Sequence, residues 1–300
     1  MDELSGEHGR AAAGAFAPQL PVALPLLEAR RETPRMASLF FPLPERSDPS
    51  FRARAVQPGQ FVMVWLPGIG ERPYAVSYLE EDRFGVTVLR RGPFSTSLHE
   101  ARPGRMVGFR GPYGRGFWGW RGWPEPSRAV LVAGGCGLAP LKLLADQMPG
   151  ATIIQGSPTA EDVLFRELLP GQIICTEDGS LGWEGYPTRA LEALLRRGKV
   201  DAVYTCGPEA MMAPVVDVCW RAGVECQASL ERHMKCGFGV CGQCECDGLL
   251  VCQEGSVFSA DELAKMPSFG RCTRLKSGRK VGVFGQNHCA VRPPDPPEGA

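Results

Sequence analysis

A run of cysteines towards the carboxyl end of the chain is the feature of the sequence that points most directly to chemistry. Four of them follow the pattern C-x4-C-x2-C-x7-C: Cys236, Cys241, Cys244 and Cys252. This is the ligand spacing of plant-type [2Fe–2S] clusters. Glycines between the cysteines would let the backbone wrap closely round such a cluster. The spacing therefore predicts an iron–sulfur site held by four thiolates.

Two other interpretations of this run are a structural zinc site and a set of reduced cysteines without a metal. Structural zinc usually shows two C-x2-C-like pairs about 12–20 residues apart, whereas this run has one such pair. Cys246 competes for the place of fourth ligand, but in an extended chain it could not easily face the same cluster as Cys244. We therefore prefer Cys252 and leave the roles of Cys246, Cys272 and Cys289 open.

A glycine-rich turn joins a continuous apolar strand, RAVLVAGG, to the amphipathic pattern PLKLLADQM. Its glycines and the proline that follows are Gly134, Gly135, Gly137 and Pro140. Unpaired N–H groups and the helix dipole make the start of a helix attractive to anions, so this turn predicts a pyrophosphate site. It does not match the strict G-x-G-x-x-G fingerprint of dinucleotide-binding proteins.

A second turn between a strand and a helix has the sequence CGPEAMM, with Cys206, Gly207, Pro208 and Met211. In a parallel sheet this position would overlook the same crevice as the first glycine turn. The alternative is that Cys206 is only a small buried strand residue.

The elements that must position these motifs fall into three groups. From Leu20 to about Gly122, short runs cut by Pro and Gly, such as QFVMVWLPG, RPYAVSYLEE, FGVTVLRRG and RMVGFRGPYG, predict an antiparallel sandwich or barrel. From Trp123, five strands alternate with four helical patterns, one of them AEDVLFRELL, and this predicts a doubly wound parallel sheet. After Ser229 the segment has little apolar periodicity, and a metal centre would help to hold it.

Composition narrows the class of protein. The chain has 300 residues, 44% of them hydrophobic, with 33 basic and 33 acidic residues. This balance argues against nucleic-acid binding. Because we find no apolar run long enough for a membrane span and no basic leader, we expect a cytoplasmic protein. We divide it into a tail (1–19), a β-barrel (20–122), an α/β domain (123–228), a cluster module (229–285) and a second tail (286–300).

Taken together and in this order, the motifs resemble the ferredoxin–NADP⁺ reductase superfamily. Within it, GQFVMVWLPGIGERPYAVS, RGPYGRGF, VAGGCGLAPL, TCGPEAMM, QASLERHMKCGFGVCGQC and VCQEGSVF are similar to the electron-transfer subunits of type B dihydroorotate dehydrogenases. The resemblance covers about residues 20–275, and its carboxyl-terminal block is the most specific part. The equivalent iron–sulfur flavoproteins of sulfhydrogenases and anaerobic sulfite reductases carry a similar S-x-E-x-x-M-x-C-G block.

The resemblance implies three cofactors and a ligand set for each. FAD would be bound in the barrel by Arg72, Pro73, Tyr74, Ala75, Ser77, Thr87, Val88, Leu89, Gly92, Phe94 and Ser95. NAD(H) would be bound in the α/β domain by Gly134, Gly135, Gly137, Pro140, Cys206, Gly207, Pro208 and Met211. The [2Fe–2S] cluster would be held by Cys236, Cys241, Cys244 and Cys252. No residue is expected to act as a catalytic acid or base, and the roles of Glu231 and His233 are left open.

The sequence departs from the family pattern at three places. Ala75 stands where the family often has Ser or Thr, a basic residue common near Leu89 is absent, and Ser256 interrupts the usual block after the last cysteine. The first change removes a side-chain hydrogen bond that a backbone amide could replace.

The implied partner is an FMN-containing dihydroorotate dehydrogenase catalytic subunit, in a heterotetramer with two copies of each chain. Electrons would pass between NAD(H), FAD, the cluster and that FMN, because a flavin can exchange both electron pairs and single electrons. We expect the apolar segment 230–258 to form much of the interface, through Phe238, Val240, Leu249, Leu250, Val251, Val257 and Phe258.

The alternatives are the equivalent subunit of a sulfhydrogenase or anaerobic sulfite reductase, a stand-alone NAD(P)H reductase, and a zinc-stabilised binding module. The choice between NADH and NADPH stays open.

Overall fold

The amino-terminal part of the chain forms an antiparallel sheet in the computed structural model, which describes residues 20–44, 56–118, 126–198 and 200–283. Its strands are β1 (Val22–Pro25), β2 (Glu28–Arg31), β3 (Met36–Pro42), β4 (Phe61–Leu66), β5 (Gly70–Leu79), β6 (Arg83–Leu89) and β7 (Met106–Tyr113), with a short helix α1 (Pro93–His99) before β7. The strand order is β1-β7-β4-β5-β6-β3-β2.

The two edges of this sheet are joined by the chain itself. Strands β1 and β2 lie at opposite ends of the sheet but are consecutive in sequence, connected by Leu26 and Leu27. The Leu26 N–H donates to Arg105 O beside β7, and the Leu27 N–H donates to Phe40 O on β3, both at 2.9 Å. The sheet is thus closed, and its interior is packed with alternate side chains of every long strand. The predicted antiparallel barrel is confirmed.

The middle of the chain forms a second, mainly parallel sheet. Its elements are β8 (Ala129–Gly134), α2 (Leu138–Gln147), β9 (Thr152–Ser157), β10 (Ile173–Thr176), β11 (Trp183–Glu184), α3 (Pro187–Arg197), β12 (Ala202–Cys206), α4 (Glu209–Ala222) and β13 (Glu225–Ser229). The strand order is β11-β10-β9-β8-β12-β13, and all these pairs are parallel.

Helices cover both faces of the second sheet. Leu131 on β8 packs in a core with Leu141 of α2, whereas the next residue, Val132, packs in a different core with Leu191 of α3 and Val215 of α4. Successive side chains of a strand point to opposite faces, so α2 lies on one side and α3 and α4 lie on the other. The doubly wound architecture is confirmed.

One of the four predicted helices is wrong. The segment AEDVLFRELL forms a single 3-10 turn at Ala160–Asp162 and then irregular turns. Val163, Leu164 and Phe165 are all buried, and three successive side chains cannot share one face of a helix. Phe165 adopts φ 56°, which ends any helical path. Burial of these side chains in the tertiary structure therefore outweighs the helical propensity of residues 160–169.

The carboxyl-terminal region is built from short elements. These are β14 (Glu245–Cys246), β15 (Leu249–Leu250), β16 (Val257–Ser259), α5 (Ala260–Ala264), β17 (Cys272–Arg274) and β18 (Lys280–Gly282). Strand β16 pairs antiparallel with β13 and extends the second sheet, so this region is continuous with the α/β sheet.

Some expectations fall where the structure is not described. The two predicted tails, the boundary between Gly122 and Trp123, and Cys289 lie outside the described residues. Among the helices that are described, none has the length and apolar character needed to cross a bilayer.

Candidate functional site

A cavity of about 910 Å³ lies where the barrel, the parallel sheet and the cysteine-rich region meet. Eleven of the residues that the sequence assigned to cofactors line it: Arg72, Pro73, Tyr74, Ala75, Thr87, Leu89, Gly92, Phe94, Ser95, Pro140 and Cys206. Tertiary structure has thus gathered residues from three separate motifs round one space.

The barrel wall of the cavity is organised by β5 and by the turn before α1. Tyr74 on β5 stacks against Phe94, with ring centroids 6.3 Å apart and planes at 18°. The Arg72 guanidinium lies 5.6 Å from the centroid of the same Phe94 ring. Ser95 Oγ accepts hydrogen bonds from the backbone N–H groups of Arg91 and Gly92, at 2.9 and 3.1 Å, and so holds the turn. This wall presents aromatic faces next to a cation.

Burial raises the pKa of Tyr74 to about 12, although nearby Arg72 works in the opposite direction. At neutral pH the phenol therefore keeps its proton and can donate a hydrogen bond into the cavity.

Two predicted barrel residues do not reach the cavity. Ser77 is fully buried, and its hydroxyl has no hydrogen-bond partner among the described residues. Val88 points into the barrel core with Val86 and Phe109, because it alternates with Thr87 and Leu89 along β6. The sequence motif alone could not separate the inward positions from the outward ones.

The two glycine turns pack directly against each other at the carboxyl ends of neighbouring strands β8 and β12. A Cβ on Gly137 would lie 2.1 Å from Cys206 O, and one on Gly134 would lie 2.9 Å from both Met211 Cε and Pro208 Cδ. Gly207 adopts φ 152° and approaches Gly134 in the same way. The glycines are thus needed for the two turns to approach each other closely. One residue of each turn, Pro140 and Cys206, lines the cavity.

Glu231 is the carboxylate among the cavity residues, and sequence reasoning left its role open. It lies just after the carboxyl end of β13, and its Oε1 is 4.0 Å from Cys136 Sγ. The enclosing protein atoms raise the pKa of Glu231, and the charge of Arg91 partly opposes this. Burial also raises the pKa of Cys206 well above its usual value, and that of Cys136 to about 12, so neither cavity thiol favours the thiolate. Position at a strand end was the signal that could have identified Glu231.

The cavity wall carries more positive than negative charge. Arg72, Arg91, Lys235 and Lys276 all line it, and none of the four forms a salt bridge with a described residue. Burial, followed by the charges of Lys276 and Arg72, lowers the pKa of His233, which lines the same cavity. Such a surface suits an anionic ligand, for example a diphosphate.

The four predicted ligand cysteines form two pairs. Cys236 interacts with Cys241 and Cys244 with Cys252, and in the second pair the Cys252 N–H donates to Cys244 Sγ at 3.5 Å. The pairs are linked because the Gly239 N–H donates to Cys252 Sγ at 3.2 Å. In the described part of the chain, no three His, Cys, Asp or Glu side chains stand in the compact geometry of a single-ion site.

One thiolate is favoured in each pair, at Cys236 and at Cys244, whereas the hydrogen bond to Cys244 and burial raise the pKa of Cys252. Burial opposes it at Cys236, but the backbone N–H groups of Cys241, Phe238 and Val240 outweigh burial and lower the pKa of Cys236 to about 7. The hydrogen bond from Cys252 lowers the pKa of Cys244 to about 6, against burial. Gly237, Gly239 and Gly242 adopt φ between 67° and 85°, so the loop folds round with its amides inward. This donor set fits a [2Fe–2S] cluster.

The fifth cysteine of the run is turned away from these pairs. Cys246 Sγ accepts a hydrogen bond from Arg232 Nη2 at 3.1 Å, and Arg232 forms a buried ion pair with Glu209. Cys246 therefore belongs to a structural network, which supports the choice of Cys252 as the fourth ligand.

Comparison with known proteins adds independent information. Residues 231–264 match the model of a family described as the iron–sulfur cluster binding domain of dihydroorotate dehydrogenase B. A protein of Methanocaldococcus jannaschii, named probable dihydroorotate dehydrogenase B (NAD(+)), electron transfer subunit, is 39% identical over 234 residues, which is 75% of this chain and 88% of that protein. A protein of Thermoplasma acidophilum with the same name is 39% identical over 228 residues, with the same coverage of both chains.

The fold also matches solved structures. The structure of an NADH-dependent reduced ferredoxin–NADP oxidoreductase, studied for flavin-based electron bifurcation, superposes with a TM-score of 0.66 at 24% identity and covers 82% of this chain and 92% of that one. This likeness supports the ferredoxin–NADP reductase-like fold. The extent and identity of the sequence matches go further: the chain belongs to the family of dihydroorotate dehydrogenase B electron transfer subunits.

Proposed function

We propose that this chain is the electron-transfer subunit of a dihydroorotate dehydrogenase B and connects NAD(H) to a catalytic partner through FAD and a [2Fe–2S] cluster. The observation that carries the proposal is the position of the cavity. Its barrel wall holds Arg72 and Tyr74, its second wall holds Cys206, and its third wall, Glu231 to Lys235, runs directly into the first ligand cysteine. When bound, the flavin would exchange electron pairs with the nicotinamide and single electrons with the cluster.

Each group of residues has a separate task in this proposal. Arg72, Tyr74, Phe94 and the turn held by Ser95 bind and orient FAD, with the cations of the cavity wall near its diphosphate. The turns Gly134–Pro140 and Cys206–Met211 receive the nicotinamide nucleotide at the ends of β8 and β12. Cys236, Cys241, Cys244 and Cys252 would hold the [2Fe–2S] cluster, which would accept and pass on single electrons.

The partner is a catalytic subunit that carries FMN and interconverts dihydroorotate and orotate, in a cytoplasmic complex with two copies of each chain. Two apolar residues of the cysteine loop are available for contact with it: Phe238 and Val240 are 36% and 61% exposed. Val257 and Phe258 are buried because β16 is part of the second sheet, and Val251 is buried in the same core as Phe258, so we do not propose these three as interface residues.

The test is anaerobic co-expression of the chain with an FMN-containing dihydroorotate dehydrogenase subunit from the same genome. We expect a brown-yellow complex that contains FAD, FMN, iron and sulfide and reduces NAD⁺ with dihydroorotate. Omitting this chain should abolish NAD⁺ reduction but leave dihydroorotate oxidation with an artificial acceptor. A chain that binds FAD and iron but never joins such a partner would instead favour a stand-alone reductase or another partner enzyme.

A further inference from the structure

A partly buried ion pair of the barrel wall touches the cysteine loop. Arg110 on β7 is only 7% exposed, and its guanidinium donates to both carboxylate oxygens of Glu71, through Nε at 2.7 Å and Nη2 at 2.5 Å. The same Nη2 donates to Cys236 O at 3.0 Å. The guanidinium carbon also lies 5.3 Å from the ring centroid of Phe238. A cation thus holds the backbone of the first ligand cysteine and the aromatic residue two positions later.

The loop is seated on the barrel wall at this point. Gly237 adopts φ 83°, and a Cβ there would lie 2.7 Å from Met63 Cγ. Met63 on β4 is the register partner of Arg110 on β7. Met63 therefore packs against Gly237, and its neighbour across the sheet, Arg110, holds the Cys236 carbonyl. Together these two contacts determine where the loop lies on the barrel.

Glu71, the acidic partner in this pair, is the sequence neighbour of the cavity residue Arg72. Glu71 and Arg72 are consecutive on β5, so their side chains leave opposite faces of the strand. Arg72 lines the cavity and its Nη1 donates to the Glu71 carbonyl at 2.6 Å, whereas the Glu71 carboxylate faces Arg110. The ion pair thus contacts the cysteine loop, and its carboxylate leaves β5 on the face opposite Arg72 of the proposed flavin site.

We propose that Arg110 and Glu71 are positioning residues that set the reduction potential of the cluster. The proposal rests on the proposed function, since it requires the cluster to be held by the four cysteines. Reduction adds one negative charge to the cluster, so the nearby guanidinium favours the reduced form and the carboxylate disfavours it. Charge and hydrogen bonding round the ligands are the protein's usual means of adjusting such potentials.

The experiment is an EPR-monitored redox titration of the full-length, cluster-loaded chain. Glu71→Gln leaves an uncompensated cation beside Cys236 and should raise the midpoint potential. Arg110→Met leaves an uncompensated carboxylate and should lower it, and should also change the EPR line shape because the Cys236 carbonyl loses its donor. The double variant removes both charges and should return towards the wild-type potential.

The matched control is the barrel pair Arg83–Glu28, joined at 2.7 Å, which makes no contact with the cysteine loop. Arg83→Met and Glu28→Gln should leave the potential unchanged. The proposal is overturned if Glu71→Gln and Arg110→Met shift the potential in the same direction or not at all. It is equally overturned if both lose iron while the controls retain it, since the pair would then serve only assembly. Absence of a cluster from the wild-type chain would instead refute the proposed function.

Discussion

Cys246 lies on β14 and Cys252 follows β15 of the same short hairpin, yet their sulfurs have different surroundings. Cys252 Sγ accepts from the Gly239 N–H of the cysteine loop, whereas Cys246 Sγ accepts from Arg232. At the residue scale, these contacts and not the spacing alone separate a proposed ligand from a structural thiol.

We expect Cys252→Ser to lose most of its iron and visible absorbance, because a hydroxyl is a poor substitute for a thiolate ligand. Cys246→Ser should keep both, since a hydroxyl can still accept the hydrogen bond from Arg232. Iron and acid-labile sulfide per chain, measured after anaerobic purification, check this. Iron loss in Cys246→Ser with retention in Cys252→Ser would exchange the two assignments.

Gly137 tests the contact between the two nucleotide turns. Its backbone is helical, with φ −64°, so alanine there is not disfavoured by conformation, but its Cβ would lie 2.1 Å from Cys206 O. We expect Gly137→Ala to lower the free energy of unfolding by about 3 kcal/mol and to weaken NADH binding. Gly198→Ala is the control, because a Cβ there meets only Leu194 O at 3.9 Å. Equal effects of both substitutions in urea unfolding would contradict the close approach.

At the scale of elements, one buried carboxylate joins three segments of the chain. Glu209, the first residue of α4, pairs with Arg232 before the cysteine loop and accepts the Gly270 N–H before β17 at 3.0 Å. Arg232 in turn donates to Cys246 on β14. The nucleotide turn and the cysteine-rich region are therefore held together by one charged network.

We expect Glu209→Gln to lower the free energy of unfolding by about 3–5 kcal/mol, because it leaves the Arg232 cation buried without its counter-charge. Asp217→Asn on the same helix is the control. Its pair with Arg221 is exposed, so the loss should stay within about 0.5 kcal/mol. Urea unfolding of the two variants decides the matter, and a Glu209→Gln effect as small as the control would show that the network is dispensable.

At the scale of the whole molecule, the cavity is completed by residues far apart in sequence. Arg72 belongs to the barrel, and Lys276 belongs to the turn between β17 and β18, yet both line the same space. The β17–β18 hairpin thus forms part of the wall of the proposed flavin site, although the motif that identifies this site in the sequence lies in the barrel.

Lys276→Met should weaken FAD binding about fivefold at low salt, the loss of about 1 kcal/mol from one charged contact. The difference from wild type should shrink at high salt as the charges are screened. Lys265→Met, an exposed residue outside the cavity, should bind FAD as the wild type does. Fluorescence titration of the deflavinated chain at two ionic strengths measures both, and equal affinities at low salt would remove Lys276 from the site.

The sequence by itself determined what depends on neighbouring residues. The cysteine spacing, three of the four predicted helices and four of the five long barrel strands were predictable, because spacing and alternation express local backbone geometry. Family resemblance extended this to the cofactors, which the matches of the chain now support.

Only the tertiary structure decided what depends on distant segments. It turned 160–169 from a predicted helix into irregular turns, because Val163, Leu164 and Phe165 all meet a core there. It directed Ser77 and Val88 away from the cavity, brought Glu231 and Lys276 to it, and placed Arg110 against Cys236, 126 residues later in the chain. Burial and charge pairing act across space and not along the chain, so no local pattern records them.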